Sequence, residues 1–330
     1  VKFVLRLTGL VVLAAILGLA WVGFEMYAPW RGFAEPVFVD FERGTSTRDM
    51  ASALAQKGVI RNQWVFLAAR LMRPQATLQA GEYRFEKPAS PLDVYGRVAR
   101  GDIFYRELLI PEGFNMFEIA DAVSKLGTIS ADDFLRAARD PSMIRDIDPQ
   151  APSLEGYLFP NTYRIYRHTT AAQLCRQMTG EFRTRWSALQ SNANLHDTLT
   201  LASMIEREAR RPEERPLVAS VFCNRLRIGM KLDCDPTTVY AALLDHRYRG
   251  TIYRSDLESA SPWNTYRHAG LPPGPIANPG LASIRAALMP EDTHYLYFVA
   301  KADGSGGHNF SESFGEHEAN VSQYQRATRH

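Results

Sequence analysis

TLTLASMIEREARRPEERPLVASVFCNRLRIGMKLDCDP, Thr198 to Pro236, decides how the rest of the chain is read. The spacing predicts a helix from about Thr198 that stops before Pro212, because proline cannot continue it and disfavours helical geometry at Arg211. A second helix, Leu217 to Arg227, follows and stops at Gly229. Leu201, Met204, Ile205 and Glu208 stand at i, i+3, i+4 and i+7, so the Glu208 carboxylate projects from the apolar stripe of the first helix. Glu206 falls toward the polar edge with Arg210. A carboxylate held against apolar walls loses hydration in its charged form, keeps its proton nearer neutral pH and can donate it to a leaving oxygen. Glu208 is therefore a candidate general acid. The competing reading is a structural ion pair with Arg207, Arg211 or Arg225.

Downstream, Asp235-Pro236 starts a turn or helix cap before Thr237 to Leu244. Ser261 to Gly280 reads SPWNTYRHAGLPPGPIANPG, and its Pro-rich half cannot be helix or inner strand. A Pro-fixed loop of this kind suits a groove wall. His294, Tyr295, Tyr297 and Val299 read as part of a strand, DGSGG as a turn, and His308 to Phe310 as the partner strand.

Upstream, Glu155 to Tyr163 reads EGYLFPNTY, and a helix from about Ala171 to Ser187 leads through the polar SNANLHD segment into the opening stretch. Tyr157, Phe159 and Tyr163 are either platforms for sugar rings or core. Pro111-Glu112-Gly113 turns the chain into helices near Met116 to Leu126 and Ala131 to Arg139, and Pro141, Pro149 and Pro152 mark a loop-rich join. Earlier still, Val37 to Phe41 reads as a strand, and Ser46 and Asn62 cap two helices. GEYRF, Gly81 to Phe85, alternates like a strand returning to the first; a third helix follows Ser90-Pro91, and Phe104 to Ile110 is a further strand.

At the N-terminus, Lys2 and Arg6 precede the uncharged run LTGLVVLAAILGLAWVGF, Leu7 to Phe24. At about 1.5 Å per residue it nearly spans a hydrocarbon core of roughly 30 Å. We read one transmembrane helix. Basic residues before it, and Trp21, Tyr27 and Trp30 at its far end, place the N-terminus in the cytoplasm and the bulk outside. The competing reading is a cleaved signal peptide, with Gly18 and Ala20 as the small residues before the cut. No cysteine follows the run, which excludes a lipoprotein anchor.

The 38 basic and 36 acidic residues nearly cancel, so nothing points to nucleic acid as partner. Cys175, Cys223 and Cys234 are too few for a disulfide framework and lack C-x-x-C spacing. Cys223 and Cys234 pair if the compartment is oxidising; otherwise all three are separate buried thiols. There is no phosphate loop, Rossmann fingerprint, H-E-x-x-H or G-x-S-x-G, and no metal-ligand spacing.

Glu206 to Glu208 (E-R-E), Val221 to Thr237, Asn264 to Tyr266 (NTY), Gly270 to Gly280, Tyr295 to Ala300 and Gly306 to Phe310 (GGHNF) together resemble the MltG / YceG-like family of endolytic murein transglycosylases. EGYLFPNTY and AGEYRF resemble the family pattern too, so the match covers nearly the whole chain from the anchor onward. The resemblance implies an α+β protein with an N-terminal transmembrane helix, a small LysM-like α+β module and a mixed α/β catalytic domain. The boundaries it suggests are 1–28 for the anchor, 29–110 for the module, 111–152 for a helical connection and 153–330 for catalysis. It implies a single-pass bacterial inner-membrane protein with a periplasmic catalytic domain. It also implies cleavage of the MurNAc-GlcNAc β-1,4 bond inside nascent peptidoglycan strands, leaving 1,6-anhydro-MurNAc ends, beside cell-wall synthases and with no cofactor or metal.

The family's catalytic Glu is the second of its E-x-E motif, which is Glu208 here, in agreement with the apolar-face argument. Asn224, Asn264, Tyr266 and His308 are candidates for holding the sugar or orienting Glu208. Glu206 or Asp235, acting as a second carboxylate, would make the enzyme a muramidase-type hydrolase instead. A non-catalytic, membrane-anchored glycan-binding scaffold is the third reading. The chain departs from the family pattern at Cys223 and Cys234, where thiols are unusual, and at Asn161, where an acid is usual.

Overall fold

The computed structural model describes residues 2–328, with side chains from Arg6; the charge read at Lys2 lies outside the described side chains. The chain divides into two compact units, one of residues 1–106 with 166–168 and one of residues 107–165 with 169–330.

The first unit opens with α1 (Lys2–Tyr27), whose stretch Arg6–Tyr27 is long and apolar enough to cross a membrane. Its last turn is built into the unit: Glu25 and Met26 are buried, and Arg61 donates to Glu25 at 2.8 Å. There follow β1 (Val37–Phe41), α2 (Thr47–Gln56), α3 (Gln63–Met72), β2 (Gly81–Phe85) and α4 (Pro91–Arg100). Ser46, Asn62 and Ser90 cap the three helices as their residue types predict. The strands pair antiparallel, Val39 opposite Tyr83. Val39, Phe41, Leu54, Phe66, Tyr83, Phe85 and Tyr95 form the core between sheet and helices. Residues 166–168 close the unit, with Arg167 donating to Glu82 at 2.6 Å and His168 pairing with Asp40 at 2.7 Å.

The second unit runs through β3 (Arg106–Ile110), α5 (Met116–Ser124), α6 (Ala131–Ala138), β4 (Asn161–Ile165), α7 (Ala171–Ser187), α8 (Leu195–Glu208) and α9 (Arg215–Arg227). It continues through α10 (Asp235–Leu244), α11 (Arg254–Leu257), α12 (Leu281–Leu288), β5 (Tyr297–Ala300), β6 (His308–Ser311) and α13 (Phe314–Ala327). β3 pairs with β4, and β5 with β6 antiparallel. The central element is α8. It is buried from Thr198 to Ile205 and packs against α9, α10 and α12.

Three sequence expectations are adjusted and one open alternative is decided. α8 starts at Leu195 because Asn194 of the polar segment caps it, accepting from Asp197 N–H at 3.0 Å. Tyr157, Phe159 and Tyr163 are buried, so they are core and not exposed platforms. The Pro-rich loop is interior from Gly274 to Gly280 and braces α8 from behind: Ile276 N–H donates to Ser203 Oγ at 3.0 Å. The strand starts at Tyr297, after Asn224 has taken the carbonyls of Thr293 and Tyr295.

Candidate active site

Glu208 is the last residue of α8. Arg211 is extended (φ −97°, ψ 123°) ahead of Pro212, so the helix cannot run on and its terminal carboxylate stands at the carbonyl end. Glu208 is half-buried. Its pKa is pushed up to about 7, chiefly by burial; the thiol of Cys234 opposes the shift, the charge of Asp235 adds to it and Arg207 opposes it. The negative end of the α8 dipole acts in the same direction as burial.

No cation pairs with Glu208 among the described residues. Arg207 turns to Gly113 O (2.9 Å) and Glu118, Arg211 to Glu213, and Arg225 to Asp233 (3.5 Å). The ion-pair reading of Glu208 is thus not realised, and a half-buried carboxylate without a counter-ion is what a proton donor requires.

Facing Glu208 is the start of α10. Cys234, the residue before it, donates S–H to Glu208 Oε1 at 3.2 Å, and Asp235 opens the helix. Three consecutive residues hold this end in place. Asn264 is buried, donates to Leu257 O (2.9 Å) and Ser259 O (2.7 Å), and accepts from Tyr266 N–H (3.1 Å), which fixes its own loop. Thr265 Oγ1 accepts from Cys234 N–H at 3.0 Å and bonds Thr237 Oγ1 at 2.9 Å. Tyr266 donates its hydroxyl to Asp235 Oδ1 at 2.7 Å. Burial, and then that carboxylate, hold the Tyr266 phenol in its protonated form.

Arg225 shapes the approach to α10. Its guanidinium donates to Leu296 O (2.6 Å) and Leu232 O (2.9 Å), tying α9, the turn after Gly229 and the lead into β5 together. Asn224 does the neighbouring task, donating to Thr293 O (2.8 Å) and Tyr295 O (3.0 Å). His308 Nδ1 meets Glu214 Oε2 at 2.7 Å, and its N–H donates to the same carboxylate. This fastens the GGHNF turn to the 3-10 turn at Pro212–Glu214, just after α8.

Glu206 is not on a polar edge with Arg210. Its side chain is buried, accepts from Arg215 at 3.0 Å and from Gly280 N–H, just ahead of α12, at 2.9 Å. Arg210 is exposed. The i+1 offset from the buried Ile205 suggests an outward face only while nothing covers that face, and here the Pro-rich loop does.

The profile of the YceG-like family matches residues 39–323. The chain belongs to the YceG-like family. It is 32% identical over 289 residues to a protein of Bacillus subtilis named endolytic murein transglycosylase, covering 81% of this chain and 79% of that one. A Streptococcus pneumoniae protein of the same name is 27% identical over 321 residues; the match takes in 87% of this chain but 58% of the longer relative. A crystal structure of a yceG-like protein from Listeria monocytogenes superposes with a TM-score of 0.55 at 33% identity, over 87% of this chain and 99% of that one.

Within this YceG-like chain, then, Glu208, Asp235 and Tyr266 converge, while Glu206, Asn224, Asn264 and His308 are fasteners for the elements around them. Sequence reasoning missed Cys234, Thr237 and Thr265 as parts of the site. The signal present was the pair of short polar motifs C-D-P-T and N-T-Y, whose thiol, hydroxyls and phenol bond one another and the carboxylates at the start of α10. Cys223 and Cys234 are both free thiols here.

Proposed function

We propose that this chain is a lytic transglycosylase that cleaves the MurNAc-GlcNAc β-1,4 bond within peptidoglycan strands, with Glu208 as its one acid/base. The observation that carries the reading is the Glu208 carboxyl: half-buried, paired with no cation among the described residues and holding its proton to about pH 7. Protonated Glu208 gives its proton to the glycosidic oxygen as the bond to C1 breaks. The resulting carboxylate then takes the proton of the MurNAc C6 hydroxyl as that oxygen bonds C1, closing the 1,6-anhydro ring. A hydroxyl on the bound sugar has a high effective concentration and outruns water. The names of the curated relatives agree with this reading.

Asp235 keeps the charge near Glu208 negative and is held by Tyr266, which suits it to support the oxocarbenium-like centre. Asn224, Asn264, His308 and Glu206 support the site by fastening the segments around Glu208. The strand-helix-helix-strand arrangement of the first unit supports a LysM-like, glycan-binding role, and α1 supports a single-pass anchor with the rest of the chain outside the cytoplasm, near the synthases that make the substrate.

Mass analysis of digested peptidoglycan tests the proposal. Anhydro ends are expected from the purified chain, falling by about a thousandfold or more in Glu208→Gln, the scale of losing a general acid. Reducing ends that have gained water would instead indicate a muramidase with Asp235 as second carboxylate, and no cleavage a glycan-binding scaffold.

A further inference from the structure

The Glu208 carboxyl has two oxygens, and the fold treats them differently. Oε1 accepts from the Cys234 thiol at 3.2 Å; Oε2 accepts from no donor among the described residues. Cys234 is itself buried and held through its backbone. It is 1% exposed, its N–H donates to Thr265 Oγ1 (3.0 Å), its carbonyl accepts from Thr237 Oγ1 (2.6 Å), and those two hydroxyls bond each other.

We propose that Cys234 is a positioning residue for Glu208: its S–H, aimed at Oε1, fixes the rotation of the carboxyl so that Oε2 carries the transferable proton toward the sugar. This rests on Glu208 being the acid/base. A free carboxyl at a helix end rotates between orientations, only one of which presents the proton to the glycosidic oxygen; a fixed donor on one oxygen selects that orientation. A thiol suits the task because it donates weakly. A strong donor would stabilise the carboxylate and strip Glu208 of its proton at neutral pH. Burial and the charge of Glu208 keep the thiol from ionising, so it remains a donor throughout the cycle. The charged groups bearing on Glu208 are Asp235 from α10 and Arg207 from its own helix, and neither is altered by changing Cys234.

The test is the pH profile of anhydro-product release by the full chain. Cys234→Ala removes the donor to the carboxylate, so the alkaline limb of kcat/KM moves up by roughly half to one pH unit, the scale of a weak hydrogen bond to a charged group. kcat falls about tenfold as the orientation is lost. Cys234→Ser, which keeps a donor and a stronger one, moves the limb below the wild-type position and restores most of kcat on the acid side of that limb. Cys223→Ala leaves both unchanged. A Cys234→Ala enzyme with a lowered rate and an unmoved limb would mean packing alone, and would overturn the proposal.

Infrared spectroscopy of the wild-type chain decides the matter without activity, and so also covers a Cys234→Ala chain that does not fold. One S–H stretching component, absent from Cys234→Ser, is expected to shift as the pH passes about 7 and to stop shifting in Glu208→Gln. A pH-independent S–H band overturns the positioning role. Full activity in Glu208→Gln would instead overturn the acid/base assignment, a separate outcome.

Discussion

The pKa of Glu208 links activity to stability at a single side chain. Raised from 4.5 to about 7, it binds more protons in the folded chain than in the unfolded one. The folded state therefore loses stability as pH rises from about 4.5 through about 7, and the deficit is fully present above that. Glu208→Gln removes the ionisation, so at pH 8 the variant is expected to be more stable by roughly 1–3 kcal/mol while being inactive. Calorimetry at pH 5 and pH 8 checks this: the gain should appear at the higher pH and shrink at the lower. Under the proposed mechanism the same protonation sets the wild-type rate. Because the acid form donates, kcat/KM should fall about tenfold per pH unit above about 7. A rate that rises through that interval would mean that Glu208 works as a carboxylate from the start.

At the scale of elements, what was legible followed from local rules. The caps Ser46, Asn62 and Ser90, the stop at Pro212, and the strand pair of Val37–Phe41 with GEYRF are all set by residues within a turn or two. Glu208 was legible because an apolar stripe at helical spacing needs no knowledge of the partner surface. Its contact with Cys234 was not, since it joins residues 26 apart through a turn shaped by Arg225. α12 and α13 were not anticipated either. For α13 the S-x-x-E capping box at Ser313 and Glu316 was the available signal, while α12 lacks a side-chain cap and starts at Gly280 on the carboxylate of Glu206. The buried loop behind α8 shows the same limit, for its fit depends on Gly156. That residue has φ +89°, and a methyl there would lie 2.5 Å from Pro275 Cγ and 3.1 Å from Leu199 Cδ2. A proline ring cannot swing aside as a flexible side chain does. Gly156→Ala is accordingly expected to destabilise the second unit by about 2–4 kcal/mol, from left-handed strain plus overpacking. Thermal melts should show a loss of roughly 5–15 °C; a shift of under about 2 °C would mean that the loop gives way.

At the scale of the whole molecule, the first helix is both a candidate membrane span and a structural part of the first unit. α1 runs without a break past Gly18 and Ala20, the small residues a signal peptidase would need, to Tyr27. Its last turn is held by the Glu25–Arg61 pair, and Arg61 also lies 4.4 Å from the Trp30 ring centroid. The proposed single-pass anchor requires that the chain not be cut between α1 and this docked turn. Full-length protein is therefore expected to stay with membranes through alkaline washing, and its N-terminal peptide should retain residues ahead of Ala20. Leu13→Arg together with Leu17→Arg places two charges in the apolar run, each opposing insertion by about 3 kcal/mol. The doubly substituted chain should leave the membrane fraction, with the fold after Tyr27 intact by circular dichroism. A mature N-terminus at or near Trp21 in the wild type would reverse the assignment, because the apolar run would then be a leader that delivers the enzyme and does not hold it at the membrane.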